Sequence, residues 1–206
     1  MYATIWGGEY IHYGIYTRPN EPIHDAFLRI VETIAQTLEK IDRNSQVIDL
    51  GSGYGGAARY LAKTYGCSVC CLNLSQLQNQ RNTQLNQEKN LYHLVKVTQG
   101  SFENIPYSDN SFDIVWSQDS ILHSSDRHLV FQEIKRILKL GGELIFTDPM
   151  ESDNCPPGVL QPAFDRLGIS DMGSYRFYSQ MAKEFGFEEI HFIDLSKNVP
   201  THYRRF

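Results

Sequence analysis

A carboxylate and four glycines close an apolar run in Val47-Ile48-Asp49-Leu50-Gly51-Ser52-Gly53-Tyr54-Gly55-Gly56. Glycines adopt backbone conformations closed to other residues and let a ligand approach the main chain. Ahead of the helical-looking Ala57-Ala58-Arg59-Tyr60-Leu61-Ala62, they predict a strand–turn–helix unit that holds a nucleoside-type group. Two registers fit. Gly51, Gly53 and Gly56 give G-x-G-x-x-G, in which a pyrophosphate rests on the helix N-terminus. Gly51, Gly53 and Gly55 give G-x-G-x-G with Asp49 two residues ahead, a carboxylate that can serve the loop or meet an ammonium group. Asn73, at the end of the next apolar run, can exchange hydrogen bonds with a diol, with Gln78 a helical turn further on. An uncharged residue there weakens the dinucleotide reading, which normally wants an acid. Cys67-x-x-Cys70 has metal or redox spacing, but it lies within the strand-like Cys67-Ser68-Val69-Cys70-Cys71-Leu72. No histidine or second cysteine pair follows at site spacing, so these read as buried thiols and no metal is expected.

The elements that must position these residues alternate. Apolar residues at helical spacing from Ile23 to Ile41 predict a helix over 22–41. After it come a strand (46–50), a helix (56–65), a strand (67–73), a helix (76–89), strands at 92–98 and 112–117, a helix (126–139) and a strand (142–148). Helices near 157–167 and 174–185 precede a last strand around 187–195. Such alternation predicts an α/β fold with a mostly parallel twisted sheet and helices on both faces, its ligands at the carboxyl ends of the strands. With 206 residues, the chain suits a single domain. We expect an N-terminal lid segment at 1–22, a cofactor-binding core at 45–150 and a substrate-side insert at 150–186. The net charge of −5 argues against nucleic acid as a partner. No apolar run approaches the roughly 18 residues of a membrane span, and no signal-peptide layout opens the chain, so a cytoplasmic monomer or homodimer is expected.

Further motifs occur in order along the chain. Asp49-x-Gly51-x-Gly53-x-Gly55 resembles motif I of class I S-adenosylmethionine (AdoMet) methyltransferases. Pro106-Tyr107-Ser108-Asp109-Asn110-Ser111-Phe112-Asp113-Ile114-Val115 resembles the run into their fourth strand, and Leu138-Lys139-Leu140-Gly141-Gly142-Glu143-Leu144 resembles the turn before their fifth. The segment Trp6-Gly7-Gly8-Glu9-Tyr10-Ile11-His12-Tyr13-Gly14-Ile15-Tyr16 is more specific. With Leu72-Asn73-Leu74-Ser75, Trp116–Ser124 and Asp148-Pro149-Met150, it resembles the sarcosine/dimethylglycine N-methyltransferases, which make glycine betaine. The resemblance implies a Rossmann-like fold, AdoMet as cofactor with S-adenosylhomocysteine as product, and a small amine as substrate. It places Tyr13, Asp49, Gly51, Ser52, Gly53, Asn73, Leu74, Gln78, Ser101, Phe102 and Gln118 on the cofactor, with Gln118 at its methionine end and Ser101 and Phe102 at the adenine. His12, Pro149 and Met150 are expected on the substrate side, where the substrate's own chemistry adds Trp6 and Arg166. These enzymes usually close the sheet with an antiparallel strand beyond the last one predicted here, and the sequence shows no such strand before Phe206.

Methyl transfer to an amine is an in-line displacement, so positioning and electrostatics supply most of the rate. An amine attacks only as the neutral base, which calls for a proton acceptor or a desolvated site. His123 is the candidate base; a packing role in its loop is the alternative. Aromatic faces suit a quaternary ammonium, and Trp6, Tyr10, Tyr13 and Tyr16 are candidates. A substrate carboxylate needs a cation, which Arg166 or Arg176 can supply. Other readings are methylation of another small molecule such as phosphoethanolamine or a natural product, a non-catalytic AdoMet-binding domain, and an NAD-dependent dehydrogenase.

Overall fold

The computed structural model describes residues 9–18 and 20–204. Its frame is a five-stranded sheet of β1 (Gln46–Leu50), β2 (Ser68–Asn73), β3 (Val95–Gln99), β4 (Phe112–Gln118) and β5 (Leu138–Thr147), in the order β3-β2-β1-β4-β5. Every pairing is parallel. The order reverses at β1, the neighbour of both β2 and β4, and this is where a doubly wound sheet opens a crevice at its carboxyl edge.

Side chains alternate across β1, so Val47 joins one apolar layer while Ile48 and Leu50 join the other. The first layer takes α1 (Ile23–Ala35) and α2 (Gly56–Tyr65), through Phe27, Ile30, Val31, Ala58 and Leu61. The second takes α4 (Arg127–Ile137) and α6 (Tyr175–Glu184), through Val130, Phe131, Ile134, Tyr178 and Met181. Between these in the chain lie α3 (Gln76–Glu88), packed on β3 and β2, and α5 (Gln161–Leu167). A short α7 (Val199–Tyr203) follows near the C-terminus.

α3 has almost no apolar stripe. Its inward face carries Asn79, Asn82, Leu85 and Asn86, all buried, and the asparagines meet a buried cation. Arg59 of α2 donates to Asn82 Oδ1 and Asn86 Oδ1, each at 3.0 Å, and to the Tyr54 carbonyl at 2.6 Å. A buried guanidinium is stable only when its donors are satisfied, and the polar stripe supplies that.

Three predicted boundaries need correction. α1 stops at Ala35 instead of running to 41; Thr37 turns its hydroxyl back onto the Ile34 carbonyl, a side-chain bond that competes with helix continuation. β5 begins at Leu138, ahead of the predicted 142, because Gly141-Gly142 forms an irregularity within the strand: pairing jumps from Phe112 with Leu138 to Ile114 with Glu143. The strand predicted at 187–195 is absent. Those residues have no ladder partner, and Ile190 and Phe192 are 58% and 56% exposed. Apolar alternation fixes which way side chains point but supplies no hydrogen-bonding neighbour. The segment rests on α6 instead, with Phe192 against Tyr175 and Glu189 accepting from the Tyr175 hydroxyl.

Candidate active site

The carboxyl ends of β1, β2 and β4 open onto a cavity of about 880 Å³, within the roughly 300–1,000 Å³ usual for small-molecule sites. Its floor is the glycine turn. Gly55 has φ of +73° and caps α2; a Cβ there would run into the Asn82 amide that holds Arg59. Gly56 has ordinary dihedrals, but a Cβ on it would sit 2.5 Å from the Tyr10 ring. This glycine makes room for the N-terminal segment.

That segment roofs the cavity through contacts along its length. Glu9 takes an ion pair from Arg59 at 3.0 Å and another from Lys89 at 2.6 Å, which hold its carboxyl below the usual range against the opposing effect of burial. Tyr10 is buried with Phe27 in the first apolar layer. The Tyr13 backbone N–H donates to Asp119 Oδ2 at 2.7 Å, and the Thr147 hydroxyl donates to Asp119 Oδ1 at 2.9 Å. Asp119 sits in the left-handed region, with φ of +50°. This turns its carboxylate between the end of β5 and the roof, and burial pushes it up to about 6.

Several polar groups on the cavity wall lack partners. Asp49 is 3% exposed and accepts no hydrogen bond from the described residues; burial pushes its carboxyl up to about 7, against the pull of Arg59. Ser52 Oγ, Gln118 Nε2 and His12 Nε2 are buried without partners among the described residues. Gln118 is aimed by its other end, because Oε1 accepts from the Trp116 indole at 3.2 Å. His12 is 7% exposed with Nδ1 on the Tyr13 carbonyl at 2.8 Å. Burial depresses its pKa to about 4, so the ring is neutral, and the Nδ1 hydrogen bond leaves Nε2 as an acceptor. Unsatisfied buried polar atoms that share a cavity wall call for a polar ligand. AdoMet fits this donor and acceptor set, with an acid for its ammonium and amide and hydroxyl donors for its carboxylate.

Asn73 donates through Nδ2 to Gln78 Oε1 at 3.0 Å and to Asn79 Oδ1 at 3.2 Å, which leaves its own oxygen to accept. Ser75 caps α3, accepting from the Gln78 backbone N–H. Leu74, Ser101 and Phe102 line the same wall. His123 ends the one-turn 3₁₀ helix Ile121–His123 at the cavity mouth, exposed and without a side-chain hydrogen bond among the described residues, its pKa lowered by partial burial. Pro149 and Arg166 line the cavity too.

Not every expected residue is brought there. Met150 packs against the apolar layer of α4 and α6, and Arg176 pairs with Asp153 at 3.9 Å outside the cavity. Tyr16 turns its hydroxyl to His202. Trp6 lies outside the described residues. Asp119 and Tyr203 were not among the expected site residues. Asp119 lies within the Trp116–Ser124 run without a signal of its own, and Tyr203 reaches the cavity from α7 with no sequence signal. Among the described residues no group of three or more His, Cys, Asp or Glu is arranged to hold a metal ion, and no helix is long and apolar enough to cross a membrane. Cys67, Cys70, Cys71 and Cys155 are free thiols.

Comparison with known proteins agrees with this geometry. The methyltransferase domain family matches residues 48–146. Over its whole length the chain is 51% identical to the sarcosine/dimethylglycine N-methyltransferase of Halorhodospira halochloris and 48% identical to that of Aphanothece halophytica, spanning 74% of each. A crystal structure of a protein assigned as a sarcosine dimethylglycine methyltransferase, from Galdieria sulphuraria, superposes with a TM-score of 0.95 at 41% identity, covering 99% of this chain and 79% of that one. The fold extends to other chemistry: the [4+2]-cyclase SpnF superposes with a TM-score of 0.87 at 24% identity, covering 98% of this chain and 74% of that one. Sequence across the full chain and the arrangement of the cavity agree: this is a class I AdoMet-dependent methyltransferase of the sarcosine/dimethylglycine N-methyltransferase family.

Proposed function

We propose that the enzyme N-methylates sarcosine and dimethylglycine, ending at glycine betaine. The observation that carries this reading is the division of labour within one cavity. The glycine-turn wall offers groups unpartnered among the described residues and suited to a cationic cofactor, while an exposed histidine, His123, and a cation, Arg166, line the same cavity. The activities named for the relatives with about half their residues in common support the substrate class.

AdoMet, when bound, supplies an electrophilic methyl group on a sulfonium. The chain's own residues do the rest. Asp49, Ser52 and Gln118 hold the amino-acid end of the cofactor, Asn73 and Gln78 its ribose, and Leu74, Ser101 and Phe102 its base; Gly51 and Gly53 let the main chain approach. His123 accepts the proton of the amine. Its lowered pKa keeps the imidazole unprotonated at neutral pH, the form that can take a proton. Arg166 answers the substrate carboxylate. Residues 1–22 act as the lid, with His12 and Tyr13 between cofactor and substrate. The free cysteines and the polar small-molecule substrates suit a cytoplasmic enzyme.

The test is transfer of labelled methyl from AdoMet to glycine, sarcosine, dimethylglycine and phosphoethanolamine. Betaine formed from dimethylglycine supports the proposal. Transfer to another amine with none to dimethylglycine refutes it.

A further inference from the structure

At the outer end of the cavity, three residues from distant parts of the chain meet. The Tyr13 hydroxyl lies 2.6 Å from the Tyr203 hydroxyl, and their rings pack edge to face with centroids 5.8 Å apart. The Arg166 guanidinium stands over the Tyr203 ring, 5.3 Å from its centroid. All three line the cavity. Among the described residues Arg166 makes no ion pair and is the sole lysine or arginine on the cavity wall, whereas Glu9, Asp49, Glu103 and Asp119 line it elsewhere.

A pair of hydroxyls that close shares one of its two protons, so one O–H is left to donate to a third group. Burial keeps the Tyr13 phenol neutral, raising its pKa ahead of the contribution from Tyr203. The Tyr203 ring also holds the planar guanidinium in place, so less freedom is lost when it binds. A fixed guanidinium with a neutral O–H beside it matches a carboxylate, which accepts at both oxygens. It does not match an alcohol, which gives the guanidinium no charge to answer.

We infer that Tyr203, paired with Tyr13 and stacked under Arg166, completes a carboxylate subsite that selects amino acids over amino alcohols. This rests on the small-amine reading above and adds a residue of α7 to the determinants of specificity. The zwitterion then lies along the cavity, its carboxylate at Arg166 and Tyr203 and its nitrogen towards the acidic wall.

The experiment compares dimethylglycine with N,N-dimethylethanolamine, its alcohol counterpart, in native enzyme, Tyr203→Phe and Arg166→Gln. Removing one hydrogen bond to a charged group should raise KM for dimethylglycine about tenfold in Tyr203→Phe and leave kcat within about twofold. Arg166→Gln should lose more, and in each variant the loss should be several-fold smaller with the alcohol than with dimethylglycine. Equal loss on both substrates, or none on dimethylglycine, overturns the inference. A turnover-free measurement separates it from the functional proposal: calorimetric binding of glycine betaine and of choline to the S-adenosylhomocysteine complex. Preference for betaine that falls in Tyr203→Phe supports the subsite even if dimethylglycine is not the methyl acceptor. Equal binding of betaine and choline refutes it. Unchanged S-adenosylhomocysteine affinity and melting temperature show that the variants fold.

Discussion

Replacing Asp49 with asparagine is expected to stabilise the ligand-free protein at neutral and alkaline pH while weakening its hold on the cofactor. Burial raises the Asp49 carboxyl from its ordinary 3.8 to about 7. Three units, at 1.36 kcal/mol each, correspond to about 4 kcal/mol that folding spends to keep this group ionised. Because the folded pKa is raised, the unfolded chain gives up this proton first as pH rises. The group costs nothing below about pH 4, the cost grows through the interval, and it is complete above about pH 7. Asparagine has the same shape and no charge, so the stability difference between D49N and native protein should widen by about 2–3 kcal/mol between about pH 5 and about pH 8. Urea unfolding of both proteins at the two pH values reads this directly, and taking the difference cancels every other titrating group. With saturating AdoMet the order should reverse or narrow, because a tighter ligand adds more to the native protein by mass action. A stability difference that stays flat with pH, or an asparagine variant that binds AdoMet as tightly as native enzyme, would refute the view that Asp49 is held ionised for the cofactor.

Two further predictions concern His123. His123→Ala should lower kcat at least about a hundredfold while changing cofactor affinity less than about threefold, measured by single-turnover transfer and by calorimetry; equal losses would make it a packing residue. The pH profile of kcat should rise on its acid limb as His123 loses its proton and level off at a midpoint below the ordinary 6.5, since partial burial lowers the pKa. A midpoint above that value would point to a different base.

Much of this arrangement was readable from residues alone, for reasons that differ by element. β1 and β2 end where expected because Val47, Ile48 and Leu50, and Val69 to Leu72, mark strands rich in apolar residues, and the turn after β1 is written in glycines. α3 begins at Gln76, where it was expected, on a Ser75 cap. How it packs was hidden, since buried asparagines facing an arginine look like a solvated helix in the sequence. The constraint on Gly56 was hidden because it comes from Tyr10, a residue with no local relation to it. The cavity wall around the glycine turn was legible because it is built from strand ends, one motif per strand. The end at Tyr203 was not: Tyr13, Arg166 and Tyr203 come together only through the tertiary fold, and no spacing records that meeting.

The placement of Tyr10 has a kinetic consequence. Its ring is simultaneously cavity roof and core, 8% exposed and packed against Phe27, while its backbone neighbour Glu9 is fixed by Arg59 and Lys89. Lifting the roof far enough to pass a nucleoside exposes that aromatic ring, at about 2–3 kcal/mol, which slows exchange by about two orders of magnitude. An amine entering past exposed His123 meets no such barrier. We therefore expect the cofactor to exchange more slowly than the amine. Two successive methylations need two cofactors, so the singly methylated amine escapes before the cofactor has been exchanged. Catalysis is then distributive, and a time course starting from sarcosine should show free dimethylglycine far in excess of enzyme before betaine appears.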